Sequence, residues 1–135
     1  MVVLLVCCVK TVVKELVVET EGTYYAVDLT STVAEEVKKA GIKNGTVTVF
    51  SEDPLCPIFT IEYEPKLMSD LVTYVKKLSS DETKARLLAA TVLGTSLTVP
   101  VVDGTPVTAT FQQIVLLELN KEGGSRKIYL VIQGE

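Results

Sequence analysis

A chain of 135 residues fits one domain, and at that size roughly two-thirds of the surface an unfolded chain exposes can be buried, so no covalent staple is needed. Hydrophobic residues make up 47% against 22% charged, which excludes a disordered chain; valine recurring in short runs between Thr, Gly and Asp favours a strand-rich domain. A net charge of −4 leaves no basic footprint for DNA or RNA.

The opening MVVLLVCCVK carries eight apolar residues, Val2 to Val9, with no basic residue before them and no small-residue cleavage site after them. No signal peptide is therefore expected, and the run is too short to span a bilayer, so no membrane association is expected. It is expected to form a buried strand able to pair with a neighbouring subunit. Three cysteines, an odd number, argue against a closed disulfide framework and point to a reducing, cytoplasmic setting. Successive strand side chains face opposite ways, so Cys7 and Cys8 cannot converge on one metal. Core packing is the expected role of both, and of Cys56.

Lys14 to Thr20 and Thr23 to Leu29 are rich in β-branched and aromatic residues and flank Glu21-Gly22, which predicts a hairpin. Thr30 or Ser31 is expected to cap a helix running to about Ala40, with Glu35 and Glu36 early enough to favour its dipole. Val33 and Val37 share its inner face, and Gly41 suits a left-handed cap. After the turn at Asn44-Gly45, TVTVFS and then Pro57 to Tyr63 are predicted strands joined by the loop Glu52 to Cys56. Pro65 opens a second helix in which Leu67, Leu71, Val75 and Leu78 repeat with helical spacing. Ser80 is expected to cap a third, from Asp81 to about Leu93, ended by Gly94.

The remainder is strand: TSLTVPV, a tight turn at Asp103-Gly104, a short arm from Val107 to Thr110, then IVLLELN and RKIYLVIQ joined through Glu122-Gly123-Gly124. Strands surround three helices without regular alternation, which predicts an α+β domain, mostly antiparallel, treated as one unit over residues 1–135.

No phosphate-binding G-x-x-x-x-G-K-[ST], dinucleotide G-x-G-x-x-G, C-x-x-C or nucleophile elbow is present, and the chain has no histidine. Asn44-Gly45-Thr46 matches a glycosylation acceptor but is expected to be a turn. Lys121, Arg126 and Lys127 form the densest basic patch, expected to be a solvated turn. Glu62 and Glu64 flank Tyr63 as paired carboxylates or a solvated strand end. Gly94, Thr95 and Ser96, with Gln112, offer amides and hydroxyls for an anion. The competing view is a glycine-capped turn into a strand, because anion sites favour helix N-termini and Gly94 follows a C-terminus.

VLGTSLTVPVVDG, then TATFQQI, then GGSRKIYLVIQGE resemble the closing segment of the YjbQ-type family, sometimes called secondary thiamine-phosphate synthase. That family shows a Leu-Gly-[ST]-Ser-Leu loop, a Pro-Val-x-x-Gly turn, a Thr-Trp-Gln-Gly-Ile segment and a Gly-Glu terminus. The likeness continues through VDLTSTVAEEVKKAGIKNGTVTVF and more loosely through FTIEYEPKLMSDLVTYVKKL, so residues 1–13 stand outside it as an N-terminal extension strand. The resemblance implies sandwiched sheets, a homotrimer with pockets near subunit boundaries, and an activity joining a pyrimidine diphosphate to a thiazole phosphate.

This chain departs from the pattern where the chemistry would lie. A family His-Thr-[ST]-Ala motif falls at Asp53 or Pro54, a second histidine falls at Leu87, a histidine-containing loop is shortened to SSDETKAR, and Trp-Gln-Gly becomes Phe111-Gln112-Gln113. A carboxylate at Asp53 does not titrate near neutrality without strong desolvation, and Leu87 carries neither proton nor metal. The expectation is a catalytically degenerate, trimeric binding or structural protein with no cofactor. The alternative is an enzyme in which Asp53, Thr95, Ser96, Gln112 and Glu62 hold a metal or a small phosphorylated ligand.

Overall fold

The computed structural model describes residues 9–135. The expected strand from Val2 and the Cys7-Cys8 pair lie outside the described residues, apart from Val9, which precedes the first strand. In chain order the elements are β1 (Lys10–Gly22), β2 (Ala26–Asp28), α1 (Thr30–Ala40), β3 (Gly45–Ser51), β4 (Ile58–Ile61), α2 (Pro65–Lys76), α3 (Glu82–Leu93), β5 (Ser96–Val102), β6 (Thr105–Pro106), β7 (Gln113–Leu117) and β8 (Glu122–Gly134).

Two antiparallel sheets result, a five-stranded one in the order β1-β8-β3-β5-β6 and a three-stranded one in the order β2-β7-β4. This is the α+β sandwich with three helices that the sequence predicts. The larger sheet turns Val47, Val49, Ile128, Leu130 and Ile132 inward against Val33 and Val37 of α1 and against Ile58, Ile114 and Leu116 of the smaller sheet. Each such side chain, fully buried, contributes about 1.5–3 kcal/mol. The other face of the smaller sheet supplies Leu117 and, just beyond β7, Leu119 to a second core with Val75 of α2 and Ala89 and Ala90 of α3. β7 is therefore covered on both faces, which is why its sequence is a continuous apolar run rather than an alternating one.

Several local expectations are corrected. Lys14–Thr20 and Thr23–Leu29 do not form a hairpin: β1 pairs with β8, whereas β2 crosses to the other sheet and pairs with β7. The crossing is made by Gly22 and by Tyr24, whose φ of 71° rotates the chain out of the β1 plane. Glu122-Gly123-Gly124 likewise does not close a β7–β8 hairpin; it opens β8, pairing with Thr20 and Gly22 of β1. Gly123 is required there because a Cβ would lie 2.1 Å from the Thr20 carbonyl oxygen.

The predicted arm from Val107 to Thr110 is irregular, and the turn at Asp103-Gly104, with positive φ at both residues, pairs β5 with the two-residue β6 instead. The strand expected over Pro57 to Tyr63 is confined to Ile58–Ile61. Leu29 rather than Thr30 or Ser31 stands at the N-cap of α1, and no acidic residue falls in that helix's first turn. Asp81 rather than Ser80 caps α3, its carboxylate accepting from the Lys84 amide. Glu64 caps α2 through both carboxylate oxygens.

Candidate functional site

Past β7, strand alternation sends the side chain of Glu118 to the side of Ile114 and Leu116, into the end of the sandwich, where it retains no solvent-exposed surface. Its backbone is held on both sides: Glu118 N–H donates to the Tyr25 carbonyl at 2.8 Å, and Tyr24 N–H donates to the Glu118 carbonyl at 2.6 Å. An ionised carboxylate in such a place requires donors. Oε1 accepts from Thr20 Oγ1 at 2.5 Å and from Arg126 Nε at 2.6 Å. Oε2 accepts from Asn120 Nδ2 at 2.8 Å, from the Asn120 amide at 3.0 Å and from Cys56 Sγ at 3.2 Å. Among the described residues no buried side-chain polar atom is left without a partner.

These contacts decide the protonation states. Burial pushes the Glu118 carboxyl upward, but donation by Thr20, Arg126 and Asn120 outweighs it and holds the group below the usual carboxylate range. Arg126 loses hydration, yet Glu118 keeps its guanidinium more firmly protonated than usual. Burial, then the neighbouring Glu118 and Asp53, drive the Cys56 thiol far upward, so it stays a neutral thiol and not a nucleophile. The remaining Arg126 donors reach the Glu122 carbonyl at 2.8 Å and Asp53 Oδ2 at 3.5 Å. Asp53 Oδ2 also accepts from Asn120 Nδ2 at 3.2 Å, while its Oδ1 accepts from the Leu55 amide at 2.8 Å.

The result is a closed circuit in which one guanidinium is shared between two carboxylates. Arg126 lines two open grooves. One, of about 450 Å³, adds Asn120, Lys121, Glu122 and Gly123. The other, of about 410 Å³, adds Val17, Glu52, Asp53, Pro54, Ser125 and Lys127. Of the patch Lys121, Arg126 and Lys127, Arg126 departs from the expected solvated turn, being inserted into the protein, while Lys121 is exposed and Lys127 lies exposed on β8, paired with Glu15 on the neighbouring β1.

Of the residues singled out in the sequence, Asp53 joins this circuit. Thr95 lines a third groove, with Pro54, Leu55, Leu87, Ala90, Thr91 and Gly94. The Asp53 and Thr95 grooves adjoin at Pro54. Ser96 starts β5 opposite Phe50, Gln112 follows a turn closed by its amide on the Ala109 carbonyl, and Glu62 sits exposed beyond β4. None of these three lines any of the three grooves. Glu62 and Glu64 do not act as a carboxylate pair, since Glu64 is engaged as the α2 cap. Phe111, with a φ of 62° and 73% exposed, fills no pocket. Cys56 is buried as expected, though as a hydrogen-bond donor as well as a packing residue.

Glu118, Asn120, Thr20 and the inward course of Arg126 were not recognisable as a unit in the sequence. The usable signal is Glu118 itself, a charge set between Leu117 and Leu119 in a run that must be buried. Among the described residues no group of three or more Asp, Glu, Cys or His is placed to hold a metal ion, and no helix is long and apolar enough to cross a membrane.

Comparison with known proteins gives a consistent picture. The family model described as UPF0047 protein YjbQ-like matches residues 14–135. A UPF0047 protein of Methanothermobacter thermautotrophicus is 30% identical over 132 residues, covering 90% of this chain and 92% of its own. A crystal structure of a YbjQ-like protein of unknown function from Sulfolobus solfataricus P2 superposes with a TM-score of 0.86 at 32% identity, over 94% of this chain and 99% of that one. A hypothetical protein from Aeropyrum pernix K1 gives a TM-score of 0.82 at 27% identity, over 91% and 98% of the two chains.

Proposed function

The chain belongs to the YjbQ-like family of UPF0047 proteins, and from that premise we propose that it is a trimeric binding or structural member in which the chemistry implied by the family resemblance has been lost. One juxtaposition carries this reading. The positions matching family histidines, Asp53 or Pro54 and Leu87, come together in space, because Pro54 and Leu87 line the same groove with Leu55, Ala90, Thr91, Gly94 and Thr95. No side chain in that groove titrates near neutral pH, so it has neither a proton carrier nor a nitrogen ligand. Asp53 is bonded instead to Arg126, Asn120 and the Leu55 amide.

Assembly is supported by the outer face of the larger sheet. Val13 and Val17 on β1 and Phe50 on β3 are 59%, 64% and 42% exposed, large apolar side chains set among the exposed Glu15, Glu19 and Lys127 of the same face, a mixture typical of an interface between subunits. Covering that face with copies of the same chain removes it from water.

The enzyme reading keeps one observation in its favour: the groove beside Asp53 is also lined by Ser125, Arg126 and Lys127, a combination suited to a phosphorylated ligand. A thiamine-phosphate formation assay with purified protein, alongside Asp53→Ala, separates the two. No turnover by either protein is expected. Turnover by the wild type that Asp53→Ala abolishes would transfer the function to an enzyme with substituted residues.

A further inference from the structure

One concave feature uses none of the side chains of the Glu118 circuit and none of the candidate site residues Asp53, Glu62, Thr95, Ser96 and Gln112. It is a groove of about 520 Å³ between the β1–β2 crossing and the start of α2, lined by Tyr24, Tyr25, Tyr63, Glu64, Met68 and Ser69 among others. Its volume is within the range of small-molecule sites, roughly 300–1,000 Å³. We propose that this groove binds a small organic cation with a flat or apolar body, such as an aryl or alkyl quaternary ammonium.

Charge complementarity supports that occupant. No Lys or Arg is among the lining residues, and the one ionisable group besides the phenols is the Glu64 carboxylate. The N-terminus of α2, which would otherwise attract an anion, is already capped by Glu64, whose oxygens accept from the Lys66 and Leu67 amides at 2.8 and 2.9 Å. A phosphate or carboxylate ligand would meet that fixed negative charge, whereas a cation would be attracted by it and by the electron-rich faces of the tyrosines. The Tyr24 ring already holds a cation of the chain itself, with Lys76 Nζ 5.3 Å from its centroid, so the rings left to a ligand are those of Tyr25 and Tyr63.

The walls are also pre-organised. Tyr24 and Tyr25 are pinned by backbone hydrogen bonds to Glu118, and the Tyr63 hydroxyl donates to the Ala26 carbonyl at 3.3 Å. Tyr25 and Tyr63 remain 38% and 41% exposed, so the groove is open to a ligand. The proposal does not depend on the trimeric or degenerate reading, and concerns a site with no part in it.

Tyrosine emission is the natural reporter, because the chain has five tyrosines and no tryptophan. Titration with benzyltrimethylammonium is expected to change it saturably, and choline is expected to bind roughly fivefold or more tighter than its neutral isostere 3,3-dimethylbutan-1-ol, with phenyl phosphate silent. Glu64→Gln, which keeps one of the two capping oxygens, should weaken the cation about fivefold to tenfold and lower the unfolding midpoint by only about 3–5 °C, so that the protein stays folded through the titration. Tyr25→Ala should reduce the affinity for benzyltrimethylammonium by at least as much. Amide chemical shifts in the same titration check that the perturbed residues are those of the groove. Equal binding of cation and neutral isostere, preferential binding of phenyl phosphate, shifts confined elsewhere, or no saturable response would each overturn the proposal.

Discussion

Glu118→Gln is the most informative single change. It keeps size and shape but replaces an acceptor-only group with one that is half donor. The amide oxygen can still accept from Thr20 and Arg126, at the positions now 2.5 and 2.6 Å from Oε1. The amide NH₂ then replaces Oε2 and faces the Asn120 side-chain and backbone donors that lie at 2.8 and 3.0 Å. Arg126 meanwhile keeps only Asp53, at 3.5 Å, as an ionic partner. Removing one member of a buried pair costs about 3–5 kcal/mol, most of it from the charge left behind. In a domain of this size that corresponds to a loss of roughly 10–20 °C in Tm.

The pH dependence has a definite sign. The folded Glu118 carboxyl titrates below its unfolded value, so its contribution is fully present above about pH 4.3 and is lost as pH falls through the folded-state value. The gap between wild type and Glu118→Gln should therefore be widest near neutrality and close in acid. Urea unfolding at several pH values measures it. The double variant Glu118→Leu with Arg126→Met, which removes both charges, should recover a substantial part of the loss. A cost below about 1 kcal/mol for Glu118→Gln, or a gap that does not shrink in acid, would refute the account of an ionised, donor-satisfied carboxylate.

Gly123→Ala places a Cβ 2.1 Å from the Thr20 carbonyl oxygen, so β1 and β8 must separate locally; a loss of about 2–4 kcal/mol by denaturant unfolding is expected. Cys56, buried and held as a thiol, should alkylate with iodoacetamide at pH 8 at least about a hundredfold more slowly in the native protein than after unfolding, read by site-resolved mass spectrometry. Val13→Lys with Val17→Lys puts two charges on the outer face of the larger sheet and is expected to lower the mass measured by light scattering from that of an assembly to that of a monomer, with the circular dichroism spectrum unchanged. Deleting residues 1–9 reads the apolar N-terminal segment in the same assay; a smaller mass would place it in the interface.

How much was legible follows from the range of the interactions involved. Leu71 and Val75 mark one face of α2, with Leu78 packing just beyond its end and Leu67 of the same repeat left exposed, Gly41 with a φ of 71° ends α1, and Asp103-Gly104 turns β5 into β6; each depends on residues a few positions apart, so composition and spacing were enough. The number of helices, the α+β class and the family followed from such local signals and from the C-terminal motifs. Strand partners did not. An apolar, β-branched run is equally compatible with a hairpin and with a crossing between sheets, and only the need to cover β7 on both faces sends β2 to one sheet and β1 to the other. The Glu118 circuit is further still from the sequence, because Thr20, Cys56 and Arg126 meet one carboxylate from three separate stretches of chain. Residue type alone specifies what a buried carboxylate would need; which donors reach it is decided by the packing of two sheets, where low dielectric makes an unmet requirement too costly to persist.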